Sequence, residues 1–156
     1  MVTRLQKELK QTKPFSSLEE EVILNLARTA EYIGARGAEV FKRADLTSTQ
    51  YNALRILRGA GAEGLSCGEI SERMVTKDSD ITRLLDRLET RGLISRERPE
   101  NNRRMVIARI AEAGLTLLAE LDEPVKENNR RLAAHLGEKR LKTLNELLEA
   151  LRAEAG

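Results

Sequence analysis

Ser79, Thr82, Arg83 and Arg87 fall at helical spacing around an apolar set, Ile81, Leu84, Leu85 and Leu88. At about 100° per residue the two sets separate onto opposite sides of a helix, with Asp86 joining the polar side. Such a face suits recognition of nucleic acid. A guanidinium donates to guanine O6 and N7 together, and serine and threonine hydroxyls bond bases or phosphates. Arg83 is therefore the first candidate for reading a base, and the helix N-terminus adds a favourable site for phosphate. A solvated helix surface carries the same pattern, so the face alone does not decide between them.

A second group of residues supports the nucleic-acid reading. Between Arg91 and Arg109 lie six arginines, Arg91, Arg96, Arg98, Arg103, Arg104 and Arg109, against two acids, Glu97 and Glu100. The whole chain has 27 Lys plus Arg and 25 Asp plus Glu, a formal net charge of +2, so positive charge is concentrated here. Arg98, Arg103 and Arg104 flank Pro99-Glu100-Asn101-Asn102, a turn-forming run, and arginine at a hairpin tip suits the negative potential of a narrow minor groove.

Other chemistries lack their residues. One cysteine, Cys67, forms no internal disulfide, and with one histidine, His135, it cannot complete a structural zinc site. No nucleophile–base pair or phosphate-binding glycine loop is recognisable, so the expectation is a non-enzyme with no cofactor. No apolar run approaches the ~18 residues of a membrane span, and residues 1–14 are too polar for a signal peptide. A cytoplasmic protein without membrane contact is expected.

The elements that must position these residues are mostly helical. Hydrophobic residues make up 40% of the 156, but aromatics only 3%, a balance that favours helix packing over a β-sandwich. Met1–Lys13 reads as an arm, helical through Leu5 and Leu9 and ended by Pro14. Ser16 and Ser17 before Glu19 and Glu20 cap a long helix from about Ser17 to Arg43, in which Gly34 and Gly37 suggest a bend or close packing. Thr47 with Gln50 caps a second helix, ended by the Gly59–Gly64 run. Ser66 with Glu69 caps a third, and Thr76–Ser79 supply cap residues for the fourth, which holds Arg83. Arg91 and Gly92 close that helix. Leu93–Arg98 and Arg104–Ile110 then read as a β-hairpin, and two helices follow, Glu112–His135, kinked at Pro124, and Glu138–Ala153.

Two short helices joined by a tight turn, the second followed by a hairpin, form a winged helix-turn-helix. The predicted fold class is mainly α with a small β-hairpin, a DNA-binding lobe joined to a helical dimerisation region. Residues 1–45 form the arm and first dimerisation helix, 46–110 the winged lobe, and 111–156 the C-terminal dimerisation helices.

Five blocks in order carry a resemblance: Leu46-Thr47-Ser48-Thr49-Gln50-Tyr51, Ser79 to Glu89, Arg91-Gly92-Leu93-Ile94-Ser95-Arg96, Asn102-Arg103-Arg104 and Glu112-Ala113-Gly114. Together they resemble the MarR family of bacterial regulators, over roughly Ser17 to Arg152. The resemblance implies a homodimer with interlocked terminal helices that binds double-stranded DNA at a pseudo-palindrome, usually as a repressor relieved by a small-molecule effector or by oxidation. It places Tyr32, Arg36, Tyr51 and Arg55 as candidates to line an effector cleft, with Tyr51 equally suited to the core. Two positions depart from the family pattern. Asn102 stands where Asp is usual, removing a carboxylate that would orient a wing arginine, and Ile110-Ala111 replaces Leu-Thr, removing a hydroxyl N-cap at a cost of ~1 kcal/mol.

Two functional alternatives stay open, a winged-helix module that binds an acidic protein, and a redox sensor of the same family that uses Cys67. A half-buried packing role fits Cys67 better, since free cysteine is usually buried and sensors need an accessible cationic site. His135 reads as a helix C-terminal cation favoured by the macrodipole.

Overall fold

The computed structural model describes residues 1–77 and 80–153. Its contacts divide the chain into two units, one from Met1 to Arg36 and the other from Gly37 onward.

The first unit opens with α1 (Arg4–Glu8), capped by Thr3, whose hydroxyl accepts from the Gln6 N–H while the Gln6 side chain accepts from the Thr3 N–H. This helix stops well before Pro14. Leu9 is its C-cap, and Lys10 takes a left-handed φ of 52°, so the chain turns there without needing proline. The first unit also holds most of α2 (Leu18–Lys42). Ser17 Oγ accepts the Glu20 N–H at 3.1 Å, but the Glu20 carboxylate reaches back to Ser16, one residue further than a capping box requires. α2 continues through Gly34 and Gly37. A Cβ at Gly34 would meet nothing within this chain, and one at Gly37 would make only ordinary contact with the Phe41 ring.

The second unit holds α3 (Ser48–Ala60), a 3₁₀ turn at Gly61–Glu63, β1 (Leu65–Ser66), α4 (Cys67–Arg73), α5 (Ile81–Thr90), β2 (Ile94–Glu97), β3 (Ile107–Ile110), α6 (Glu112–Ala133), a 3₁₀ turn at Ala134–Leu136 and α7 (Gly137–Arg152). Thr47 and Ser66 form the capping boxes expected of them. Leu54, Leu57, Ile70, Leu85, Leu88 and Leu118 are fully buried, drawing α3, α4, α5 and α6 onto one core. Each such side chain contributes about 1.5–3 kcal/mol of apolar burial. Arg58 Nη1 on α3 also bonds both Asp122 oxygens on α6, at 3.0 and 3.1 Å.

The hairpin becomes a three-stranded antiparallel sheet in the order β1-β3-β2, with Leu65 opposite Ala108, and Ile94 opposite Ile110. β1 has no signature in the sequence, because a two-residue strand carries no alternating pattern. Both hairpin strands are shorter than expected, leaving residues 98–106 as the wing connection. Gly114 lies where α6 crosses the sheet. A Cβ there would collide with the Leu93 carbonyl oxygen and sit 2.8 Å from Ile110 Cγ1. The glycine thus lets α6 approach the backbone that also receives the Ala111 N–H, at 3.0 Å. Ala111 is the N-cap of α6 and makes no side-chain cap bond, as its lack of a hydroxyl predicts.

Candidate nucleic-acid interface

α5 is held at both ends and on one side. Its N-cap is Asp80, whose Oδ1 accepts the Arg83 N–H at 3.1 Å, so the cap lies just beyond the Thr76–Ser79 run that the sequence suggested. The connection from α4 is fixed from outside, since the Val75 N–H donates to Asn52 Oδ1 on α3 at 2.8 Å. Lys77 Nζ donates to the Ser71 carbonyl at 3.2 Å. At the other end Gly92 adopts φ 69°, the left-handed closure expected of it. The Arg91 guanidinium donates to the Asp45 and Ala44 carbonyls, at 2.6 and 3.0 Å, tying the end of α5 to the turn after α2.

Leu84, Leu85 and Leu88 are buried, so the opposite face points outward. Thr82, Arg83 and Arg87 are exposed, and the Arg83 and Arg87 guanidiniums have no hydrogen-bond or ion-pair partner among the described residues. Ser79, the remaining candidate of this face, lies outside the described residues.

The arginines of the hairpin divide into two kinds. Arg96 on β2 bonds two carboxylates of α5, Asp86 and, at 3.0 Å, Glu89. This hydrogen bond from Arg96 holds the Glu89 carboxyl below its ordinary range, and the Arg96 guanidinium is shifted further up. Arg109 on β3 pairs with Glu97 and donates from Nε to the Ala62 carbonyl at 2.7 Å. Arg91, Arg96 and Arg109 therefore brace the lobe, and the charges of Arg96 and Arg109 are paired with the carboxylates of Asp86, Glu89 and Glu97. Arg103 and Arg104 are exposed at the wing tip, with no partner for either guanidinium among the described residues. Arg98 is exposed too, but its Nη1 donates to the Arg103 carbonyl at 2.8 Å.

Asn102 organises the tip without a carboxylate. Its N–H donates to the Pro99 carbonyl at 3.1 Å, its carbonyl accepts the Met105 N–H at 3.2 Å, and its Oδ1 accepts the Arg104 N–H at 3.3 Å. The last of these is an Asx-type turn, which asparagine forms as well as aspartate does. Neither Asn102 nor the bracing partners of Arg91 and Asn52 could be assigned from spacing, because each role depends on which carbonyl or amide the fold brings within reach.

Within the first unit Arg36 lies over the Tyr32 ring, 5.1 Å from its centroid, and Tyr32 is exposed. Within the second, Tyr51 is buried and stacked on Phe41, with centroids 4.1 Å apart, and Arg55 lies 6.0 Å over its ring. Burial pushes the Tyr51 hydroxyl pKa up. A cleft of about 810 Å³ opens between the end of α2, the start of α3 and α5, lined by Lys42, Leu46, Thr47, Gln50 and Arg87 among others. Cys67 is half-buried against the core at the start of α4, and His135 is exposed in the second 3₁₀ turn.

Residues 46–106, which span this lobe, match the MarR family model. The chain is 30% identical over 128 residues to the HTH-type transcriptional regulator PecS of Dickeya dadantii, covering 81% of this chain and 77% of that protein. This chain belongs to the MarR family. A MarR transcription factor from Planctomyces limnophilus is 41% identical, with a TM-score of 0.69 over 88% of this chain and 99% of that one. An Escherichia coli MarR mutant solved with operator DNA shares the fold at 22% identity, with a TM-score of 0.76 over 88% of this chain and 99% of that one. The lobe is thus a MarR winged helix-turn-helix in a family of DNA-binding transcriptional regulators. No helix among the described residues is long and apolar enough to cross a membrane.

Proposed function

We propose that this MarR-family chain is a ligand-responsive repressor that binds a pseudo-palindromic operator in the cytoplasm as a homodimer. The exposed guanidiniums of Arg83 and Arg87, without a partner among the described residues and beside Thr82 on the outer face of a helix buried through Leu84, Leu85 and Leu88, carry the reading. α5 enters the major groove, where Arg83 reads a base and Thr82, Arg87 and Ser79 contact bases or phosphates. Arg103 and Arg104 meet the backbone or minor groove from the wing, and Arg98 belongs to the same surface. In this division of labour residues 46–110 read DNA, while 1–45 and 111–156 dimerise.

Exposed apolar side chains support the dimer. Leu18, Val22, Ile23, Tyr32 and Ile33 are exposed on α2, and Leu144, Leu147 and Leu151 on α7. Apolar faces of this kind need a cover, and a two-fold axis supplies the same surface from a second copy. Effector binding is assigned to Tyr32 with Arg36 in the first unit and to Tyr51 with Arg55 in the second, because the Arg36 and Arg55 guanidiniums suit an anionic ligand. The cleft beside Arg87, which none of these four side chains lines, is a separate position next to the reading helix. No catalytic role is assigned, since Cys67 packs against the core and His135 sits on a separate turn.

Selection of duplexes from a random pool by the full chain, followed by fluorescence anisotropy at physiological salt, tests this function. Enrichment of a pseudo-palindrome with half-site centres about 10 base pairs apart is expected. An unenriched pool, with binding no stronger than to random DNA, would refute sequence-specific regulation and favour the protein-interaction module.

A further inference from the structure

We infer that Arg98 is a positioning residue of the wing, acting on DNA binding through the Arg103 peptide and not through a phosphate of its own. The inference rests on the proposed DNA-facing role of Arg103 and Arg104.

Arg98 directly follows β2, whose last ladder pair is Glu97 opposite Ile107. Beyond that pair the wing connection is closed by short local bonds, from Asn102 to Pro99, from Met105 to Asn102, and from Arg104 to the Asn102 side chain. Among the described residues, the Arg98 bond to the Arg103 carbonyl, at 2.8 Å, is the one hydrogen bond that joins the outgoing strand end to the far side of the turn. A cationic donor makes it charge-assisted.

Its acceptor matters as much as its length. The Arg103 carbonyl and the Arg104 N–H belong to one peptide group, and that group is planar. Arg98 holds the plane at its oxygen, and Asn102 Oδ1 holds it at its nitrogen, at 3.3 Å. Pinning both edges of this plane restricts ψ of Arg103 and φ of Arg104, the torsions that orient the two side chains relative to each other. Arg96, two residues earlier, reaches to Asp86 and Glu89 on α5. The end of β2 is therefore tied to the reading helix through Arg96, and the residue after it to the wing tip through the Arg98 bond. Orientation set before contact lowers the ordering cost of binding.

The test compares the full-length wild type with Arg98→Ala, Asn102→Ala, Arg103→Ala, Arg104→Ala and Arg98→Ala/Arg103→Ala. Amide hydrogen exchange on the free protein reads the wing, and anisotropy on a duplex selected by the wild type reads binding. Arg98→Ala is expected to speed exchange at Asn102, Arg104 and Met105 about tenfold, with Leu85 and Leu88 amides unchanged, and Asn102→Ala to do the same at Arg104. On DNA, Arg103→Ala is expected to cost about tenfold in the wild type and less than twofold in the Arg98→Ala background. Unchanged wing exchange in Arg98→Ala, or losses that multiply in the double variant, would overturn the inference and make Arg98 a direct contact. Faster core exchange in Arg98→Ala would also overturn it, by showing a general effect on stability. If Arg103→Ala and Arg104→Ala both leave duplex binding unchanged, the DNA-facing reading of the wing fails. The exchange arm still decides separately whether Arg98 holds the turn.

Discussion

Arg96 Nη2 on β2 donates to Glu89 Oε1 on α5 at 3.0 Å, so the wing is fastened to the reading helix by a side-chain bond as well as by the loop at Arg91-Gly92. Glu89 titrates below its ordinary value of 4.5 because Arg96 hydrogen-bonds the carboxylate. A carboxyl whose pKa is lowered by folding stabilises the fold fully above the unfolded value and loses that contribution as pH falls through the folded one. Thermal melts of the wild type should therefore fall more steeply than those of Glu89→Gln as pH drops below about 4.5, with both curves flat in this respect near neutrality. Parallel curves would show that the bond does not couple to folding.

Arg83→Ala should weaken specific binding by roughly 1–3 kcal/mol and leave affinity for random duplex nearly unchanged, as expected for a base-reading arginine. Anisotropy on both duplexes decides the matter. Equal losses on the two would make Arg83 a phosphate contact.

Gly114→Ala should destabilise the lobe by about 1–3 kcal/mol, because the added methyl meets the Leu93 carbonyl and Ile110 in a packed crossing. Urea titration measures this. A neutral result would mean that α6 can lift from the sheet without cost.

Removal of residues 141–156 should abolish the dimer and operator binding together, since it deletes the exposed apolar side chains Leu144, Leu147 and Leu151. Light scattering would expose an error if the truncated chain stayed dimeric. Cys67→Ser should bind DNA as the wild type does and respond no differently to peroxide, because the thiol packs against the core. Peroxide release of the wild type alone would make Cys67 the sensor.

Periodicity made the helices legible. The i, i+3, i+4, i+7 spacing of Ile81, Leu84, Leu85 and Leu88 marks the buried face of α5, and Thr47 and Ser66 start their helices as their capping boxes require. What spacing did not carry was tertiary. Asp80 outcompetes Thr76 as the N-cap of α5, and β1 exists through its pairing with β3. Nothing in the sequence separates the six arginines from Arg91 to Arg109, yet Arg91, Arg96 and Arg109 bond to carbonyls and carboxylates contributed by α5, β2 and the turns around α3. The usual carboxylate of the wing is missing, but its turn is closed by the Asn102 amide oxygen, a function that a neutral side chain can perform. Asn102→Asp should accordingly change operator affinity by no more than about 1 kcal/mol at physiological salt, because charge-assisted closure of the turn opposes repulsion from phosphate. A tenfold loss across a salt series would show that Asn102 itself touches DNA.

Hydrogen exchange of the full chain, with and without a saturating selected duplex, maps the DNA-bound surface without a mutation. Protection is expected to concentrate in residues 80–90 and 98–106, the reading helix and the wing, with α7 little changed. Protection confined to α7 or to residues 1–36, with α5 exchanging as in the free protein, would rule out α5 and the wing as the DNA-binding surface.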